Sequence, residues 1–330
     1  ESIRVWVTRM CDTMVHRGPD SGGGWISNDA TVGFGHRRLS IQDLSEAGNQ
    51  PMSSQDGRYV ITYNGELYNF EELKADLASA GISMKGHSDT EVLLEGIAHW
   101  GLKETLVRSH GMFALAIWDH NCGTLYLARD RLGKKPLYYG WVGSSFVFAS
   151  ELKAIEASPG FQGVVDTSAA GLFLQLHYIP APRTIYQGVE KLQPGSILTC
   201  RGMCSARGER HRSFPLFEME RYWSPVDAAL RGFGSNYSES GAFAVDFEAQ
   251  LTEAVRSRMV ADVPIGAFLS GGVDSALIAS IMQENSETPI KTFTIGFTDP
   301  SVDEAPHARR IAEHIGSDHH ELYVAPHDIM

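Results

Sequence analysis

Over residues 2–14, Ile3, Trp6, Val7, Met10, Cys11 and Met14 recur at three- and four-residue intervals, the spacing of one face of an amphipathic helix. Cys11 lies on that apolar face. From about 24 to 67 the pattern shortens. GGGWIS, TVGFGHRRLSI and RYVITYNGEL are apolar or alternating runs broken by Gly, Asn and Asp, which predict strands and turns. NFEELKADLASAG returns to helical period through Phe70, Leu73 and Leu77 and stops at Gly81, and DTEVLLEGIAHWG predicts a second helix. MFALAIWDHNCGTLYLARD reads as two strands around a turn, and PLYYGWVGSSFVFASELKAI as another strand pair leading into a helix. Hairpins mixed with helices predict a layered α+β domain over 1–200.

Residues 201–242 are rich in Arg, Gly and Ser and end in RGFGSNYSESG, which predicts a linker and surface loop. Beyond it Phe247, Leu251, Val255 and Met259 mark a helix. The strand VPIGAFLS, the helix DSALIASIMQ, the strand KTFTIGF, a further helix and the strand HHELYV then alternate. Such alternation predicts the start of a doubly wound parallel α/β domain over 243–330. The helix after TIGF carries a capping-box signature, Ser301 with Glu304, and an apolar stripe of Ala308, Ile311, Ala312 and Ile315.

Composition supports two ordinary globular domains. The chain has 330 residues, 43% of them hydrophobic and 21% charged, at roughly 150 residues per domain. A net charge of −12 argues against nucleic acid or an anionic membrane as partner, since both need clustered Lys and Arg. The one basic cluster, CRGMCSARGERHR at 200–212, lacks interleaved aromatics and reads as a solvated loop. Cys200, Cys204 and His211 are a weaker, metal-binding alternative there. Cys11, Cys122, Cys200 and Cys204 form no paired C-x-x-C spacing. With no apolar run of the roughly 18 residues a span needs and no signal peptide, a reduced, cytoplasmic setting is expected.

FLSGGVDSALIAS, residues 268–280, joins a strand to a helix through Ser270, Gly271 and Gly272. Glycines admit close approach of a ligand, and the helix behind them offers free N–H groups and a positive dipole end. Ser270, Asp274 and Ser275 add hydroxyls and a carboxylate. A phosphate site is therefore favoured over a ligand-free tight turn, although the spacing fits neither common glycine-loop motif. In the first domain HRGPD (16–20), GHRRLSI (35–41), YNGELYN (63–69) and HSDTEV (87–92) put polar groups beside strand ends. Singly each is a turn, and Asn64–Gly65 is a strong hairpin signal. Together an Arg, an Asn-Gly-Glu and an Asp suit an α-amino acid, with Arg on its carboxylate and the acids on its ammonium. An Asn amide and the next backbone N–H also suit an oxyanion.

The first-domain set resembles the glutaminase domain of class II glutamine amidotransferases, which implies an N-terminal nucleophile αββα sandwich. The second-domain loop resembles the SGG-x-DS loop of ATP pyrophosphatases. Both on one chain resemble the glutamine-hydrolysing asparagine synthetase family. The resemblance implies that Arg38 binds the glutamine carboxylate, with Leu39, Ser40, Ile41 and Gln42 as the adjoining wall. It makes Asn64 and Gly65 the oxyanion hole and sets Glu66 and Asp89 on the substrate amine. It places phosphates on Ser270, Gly271, Gly272 and Ser275, Mg²⁺ near Asp274, and nucleotide against the backbone of Leu269 and Ile295. ARDRLGKKPLYYG (128–140) and FASELKAI (148–155) match the family and are assigned structural roles. The implied ligands are glutamine, ATP with Mg²⁺, and aspartate, or a related carboxylate acceptor, with a homodimer as a candidate assembly. A catalytically inactive binding homologue is the reading from another class.

The family's nucleophile is a cysteine at the first position of the mature chain, where its own α-amino group serves as base. Here the first residue is Glu1, and Cys11 has neither that amine nor a strand. The expectation is that a segment with the nucleophile precedes Glu1, that later synthetase motifs follow Met330, and that Cys11 is a buried structural thiol.

Overall fold

A computed structural model describes residues 2–202, 216–233 and 240–328. The chain forms two compact units, Glu1–Ser235 and Asn236–Met330. The first runs through α1 (Ile3–Asp12), β1 (Ser21–Ile26), β2 (Gly33–Arg38), β3 (Met52–Ser53), β4 (Tyr59–Leu67), α2 (Phe70–Ser79), α3 (Asp89–Trp100) and α4 (Leu102–Arg108). It continues with β5 (Gly111–Asp119), β6 (Thr124–Arg129), β7 (Tyr138–Val142), β8 (Ser145–Ala149), α5 (Leu152–Glu156), α6 (Thr167–Leu176), β9 (Val189–Lys191), β10 (Ser196–Arg201), β11 (Leu216–Arg221) and α7 (Pro225–Gly232).

Strand alternation builds the layers, because successive side chains leave a sheet on opposite faces. The six-stranded sheet has the order β11-β10-β6-β5-β4-β3. Tyr59, Ile61 and Tyr63 of β4 and Phe113, Leu115 and Ile117 of β5 pack one face against Leu73, Leu77, Val92, Leu93 and Leu106 of α2, α3 and α4. The intervening Val60, Ala114, Ala116 and Trp118 pack the other face against Phe34 of β2 and Tyr139 of β7. Those strands belong to two small sheets, β1-β2 and β8-β7-β9, which share the second β layer. Phe34 of β2 meets Phe148 of β8 edge-on, with ring centroids 5.6 Å apart. Val142, Val147 and Val189 turn outward from that layer onto Ala154 and Ile155 of α5, with Met10 of α1 alongside. The result is the αββα sandwich expected from the motifs.

The interval assigned to a linker is in part structural. Leu216–Arg221 pairs antiparallel with β10 as the outer strand of the large sheet, and Ser224 caps α7 through Asp227 N–H. Of the alternative metal set, Cys200 is buried in the sandwich interior, whereas Cys204 and His211 lie outside the described residues.

The second unit comprises α8 (Ser240–Arg256), β12 (Gly266–Phe268), α9 (Val273–Glu284), β13 (Lys291–Phe297), α10 (Ala305–Ile315) and β14 (Asp318–Val324). The strands are parallel in the order β12-β13-β14. Val255, Leu269, Ala279, Ile281, Ala308 and Ala312 form its core. Among the described residues one sheet face carries this core, while Phe268, Phe293, Ile295 and Leu322 on the other are exposed. The Ser301–Glu304 capping box does not form. The Ser301 hydroxyl donates instead to Asp299 Oδ1, and the carboxylate of Asp303 accepts the N–H of Ala305 at 3.1 Å. Asp303 outcompetes Ser301 because it stands two residues before the first helical N–H.

Candidate functional site

Asn64 and Gly65 sit inside β4 rather than at a hairpin turn, so the hairpin reading is overturned by unbroken pairing with β5 from Tyr59 to Leu67. Opposed residues of an antiparallel pair alternate between bonded and non-bonded positions. Phe113, opposite Gly65, donates its N–H to Asp130 Oδ2 at 3.2 Å and accepts the Asp130 N–H at 2.8 Å, so both its main-chain groups face β6. The Gly65 N–H therefore points the other way, off the open edge of β4. Its neighbours on that edge are both satisfied by side chains. Tyr63 N–H donates to Gln50 Oε1 at 2.6 Å, and Leu67 N–H donates to Asp89 Oδ2 at 2.9 Å. Gly65 N–H, between them, has no partner among the described residues. Glycine is required there, since a Cβ would lie 2.4 Å from the Met112 carbonyl oxygen.

By the same alternation Asn64 and Glu66 leave β4 on the inter-sheet face, continuing the row of Val60 and Thr62. They border a cavity of ≈ 790 Å³ that also takes in Arg38, Ile41, Gln42, Asp89 and Lys135. The Asn64 amide donates to Ser150 Oγ at 3.2 Å. The cavity runs on between β2 and β8, reaching Gly33, Gly35 and His36 on one side and Phe146, Val147 and Phe148 on the other. Among the described residues β2 pairs with β1 alone and β8 with β7 alone, so each turns an unpaired edge to this space.

Asp89 opens α3, directly after the cap residue Ser88, whose hydroxyl accepts the N–H groups of Thr90 and Glu91. Its carboxylate is buried and takes the Tyr63 hydroxyl at 3.2 Å as well as Leu67 N–H. Burial outweighs these bonds and pushes its pKa up to about 6. His36 is pushed down to about 4 by burial, with Arg38 adding to the effect, so it is neutral at pH 7. Cys11 is buried on α1 with its thiol raised to about 11 by burial, which makes it a poor nucleophile. Its sulfur packs on Gly35, where a Cβ would come within 2.3 Å.

Arg38 lines the cavity, yet its terminal nitrogens are engaged by the 42–49 loop. Nη1 donates to the Ser45 carbonyl (2.9 Å) and Asn49 Oδ1 (3.0 Å), and Nη2 donates to the carbonyls of Asp43 and, at 3.5 Å, Gln42. Gly48 makes room for it, as a Cβ there would fall 2.1 Å from Nη2. Leu39, Ile41 and Gln42 border the cavity. Ser40 is tied by its N–H to Asp20 of the HRGPD turn at 2.8 Å. Gln50, Tyr63, Ser150 and Lys135 belong to the neighbourhood without having been given a role from the sequence, although Tyr63 opens the YNGELYN motif. Gln50 carries no local signal. Lys135 and Ser150 lie inside stretches that the sequence reading assigns to structure.

In the second unit the serines bond among themselves. Ser270 Oγ and Ser275 Oγ are 2.9 Å apart, Ser275 Oγ accepts Ser270 N–H at 3.1 Å, and Ser270 Oγ accepts Gly272 N–H at 3.2 Å. This draws the loop tight and leaves Gly271, Gly272 and Asp274 exposed at the start of α9. The first N–H groups of α9 have no intrahelical partner. Gly271 passes so close to α10 that a Cβ would meet His307 Cβ at 3.0 Å. Leu269 is buried and its main chain bonds β13, while Ile295 is half exposed on the open sheet face. Among the described residues no group of three or more His, Cys, Asp or Glu is placed to hold a metal, and no helix is long and apolar enough to cross a membrane.

Fold and site define an amidotransferase-type N-terminal nucleophile domain followed by an α/β domain with a Ser- and Gly-rich strand-to-helix loop. Residues 3–211 match the glutamine amidotransferase domain family and residues 246–330 match asparagine synthase. The chain belongs to the glutamine-hydrolysing asparagine synthetase family. It is 35% identical to asparagine synthetase [glutamine-hydrolyzing] 1 of Bacillus subtilis over 98% of this chain and 48% of that protein. It is 36% identical to a putative asparagine synthetase of Mycobacterium bovis (95% and 47%) and 34% identical to amidase chry2 of Gibberella zeae (94% and 45%). The chain thus spans about half the length of these relatives. A glutamine phosphoribosylpyrophosphate amidotransferase structure from B. subtilis aligns with a TM-score of 0.49 at 16% identity, covering 97% of this chain and 63% of that one.

Proposed function

We propose that the intact protein hydrolyses glutamine in the first unit and uses the ammonia for ATP-dependent amidation of a carboxylate, with aspartate as acceptor. The observation that carries the reading is the Gly65 N–H on the open edge of β4, beside the Asn64 amide and next to the buried Asp89 carboxylate. Two such donors fit the oxyanion of a tetrahedral intermediate, and a buried acid one residue pair away fits the substrate ammonium. The nucleophile belongs on an extended segment in the space between β2 and β8. A strand there satisfies both unpaired edges, and five or six residues match their length.

The loop at 270–275 fits the phosphates of ATP through the N–H groups of α9 and the open glycines. Asp274 is the one carboxylate on this loop, so it would hold Mg²⁺ only together with phosphate oxygens of the bound nucleotide. ATP activates the acceptor: a carboxylate oxygen takes the AMP group, pyrophosphate leaves, ammonia attacks the acyl carbon and AMP departs. The amidase relatives at 34% identity favour a second reading, in which the acceptor is another carboxylic acid. Pyrophosphate release by the intact enzyme decides between them. Release with aspartate and not with a panel of other acids supports the first reading, and the reverse supports the second. Absence of glutamine hydrolysis in the intact protein refutes both.

A further inference from the structure

Ser150 stands immediately after β8, in the opposite β layer from Asn64, and both border the cavity. The 3.2 Å bond from the Asn64 amide to Ser150 Oγ therefore crosses the sandwich interior. A side-chain amide has two N–H groups, and this bond uses one, leaving the other for an oxyanion. The residue after Ser150 is anchored by several charged or polar partners. This residue, Glu151, accepts His16 Nε2 at 3.1 Å and Arg17 Nη1 at 3.0 Å, and pairs with Lys153 Nζ at 3.0 Å. Despite partial burial, these partners hold the Glu151 carboxyl down to about 2, so Glu151 stays ionised through the neutral range. The HRGPD turn and the FASELKAI stretch thus meet beside the oxyanion donor.

We propose that Ser150, anchored through Glu151 to His16, Arg17 and Lys153, is a positioning residue that fixes the Asn64 amide for oxyanion stabilisation. The assignment rests on the glutaminase reading above. Removing an oxyanion donor outright costs about 10²–10³ in kcat, and loosening its orientation is expected to cost about tenfold. Because the bond acts on the transition state, KM for glutamine stays put.

The test uses the intact enzyme and steady-state glutamine hydrolysis. Ser150→Ala is expected to lower kcat about tenfold with KM within about twofold, and Ser150→Thr, which keeps the hydroxyl, to restore most of it. In an Asn64→Ala background Ser150→Ala should make no further difference, because its effect passes through that amide. Ser150→Cys, close in size and a weaker acceptor, should reproduce the kcat loss if the alanine variant does not fold. Unchanged kcat in Ser150→Ala or Ser150→Cys, a change in KM alone, or an equal loss with and without Asn64 would overturn the proposal. If the unmodified enzyme hydrolyses no glutamine, the glutaminase reading fails first. An active enzyme with indifferent Ser150 variants refutes the positioning role alone.

Discussion

Asp89→Asn separates binding from stability. The hydrogen bonds to Asp89 from Leu67 N–H and the Tyr63 hydroxyl fall on the same oxygen, Oδ2, while Oδ1 accepts the Thr90 hydroxyl at 3.4 Å. Asparagine can keep the two Oδ2 bonds on its carbonyl oxygen and gives up the longer Thr90 contact, so the substitution removes charge with modest loss of local bonding. In the fold the carboxyl pKa rises from 3.8 to about 6, chiefly through desolvation. For an acid with a raised pKa, the stabilisation belongs to the protonated form. It is fully present below the unfolded value near 4 and is lost as pH rises through about 6. Each pH unit between the unfolded and folded values is worth about 1.4 kcal/mol, so at pH 7 the buried carboxylate costs up to about 3 kcal/mol. Asp89→Asn should recover part of this, raising the midpoint of thermal unfolding at pH 7 and leaving it nearly unchanged at pH 4. Glutamine binding should move the opposite way. A charge-assisted bond to the substrate ammonium is worth about 1.5–3 kcal/mol, so KM should rise roughly 10- to 150-fold. In the unmodified enzyme kcat/KM for glutamine should fall about fivefold between pH 6 and pH 5 as Asp89 protonates, and Asp89→Asn should lose this acid limb. Calorimetry and glutaminase kinetics across pH 4–8 supply both readouts. An unchanged KM refutes the assignment of Asp89 as the ammonium site, and a variant less stable at pH 7 than the unmodified protein refutes the burial cost of its charge.

Three further outcomes are expected. Cys11→Ala should leave glutamine hydrolysis nearly unchanged, and the Cys11 thiol should resist alkylation in the folded protein while exposed Cys122 reacts, as mass spectrometry of labelled peptides can show. Arg38→Lys should raise KM for glutamine almost as much as Arg38→Ala, because an ammonium cannot span the carbonyls that the guanidinium fork holds, and amide exchange across 42–49 should accelerate in both. Asp274→Ala should abolish pyrophosphate release while sparing glutamine hydrolysis; equal loss of both would refute the proposed division of labour between the units.

Elements with a strong period were legible in the sequence. The stripe from Ile3 to Met14, the helix stops at Gly81 and Gly101, and the strands around Tyr59–Leu67 and Met112–Asp130 all correspond to observed elements. Local pattern failed where partners are distant. Leu216–Arg221 lies beside an Arg- and Ser-rich stretch and reads as loop, but β10 offers it an unpaired edge, and six residues of ladder outweigh weak propensity. The capping box failed for the opposite reason, a nearer competitor in Asp303.

The site shows the same division more sharply. Asn64–Gly65 is the strongest hairpin dipeptide in the chain, yet nine consecutive pairings with β5 carry it through as strand. Only those pairings decide where the Gly65 N–H points, since a shift of one residue would turn it into β5 and spend it on the ladder. The donors that flank it are then claimed by Gln50 and Asp89, from a loop and a helix start with no shared spacing. Residue types could be read from the motifs, but direction could not. The proposed oxyanion donor is a backbone group left over when every neighbour is satisfied, and that remainder exists only because β3 begins at Met52, opposite Ile61, and leaves the edge of β4 beyond Ile61 open.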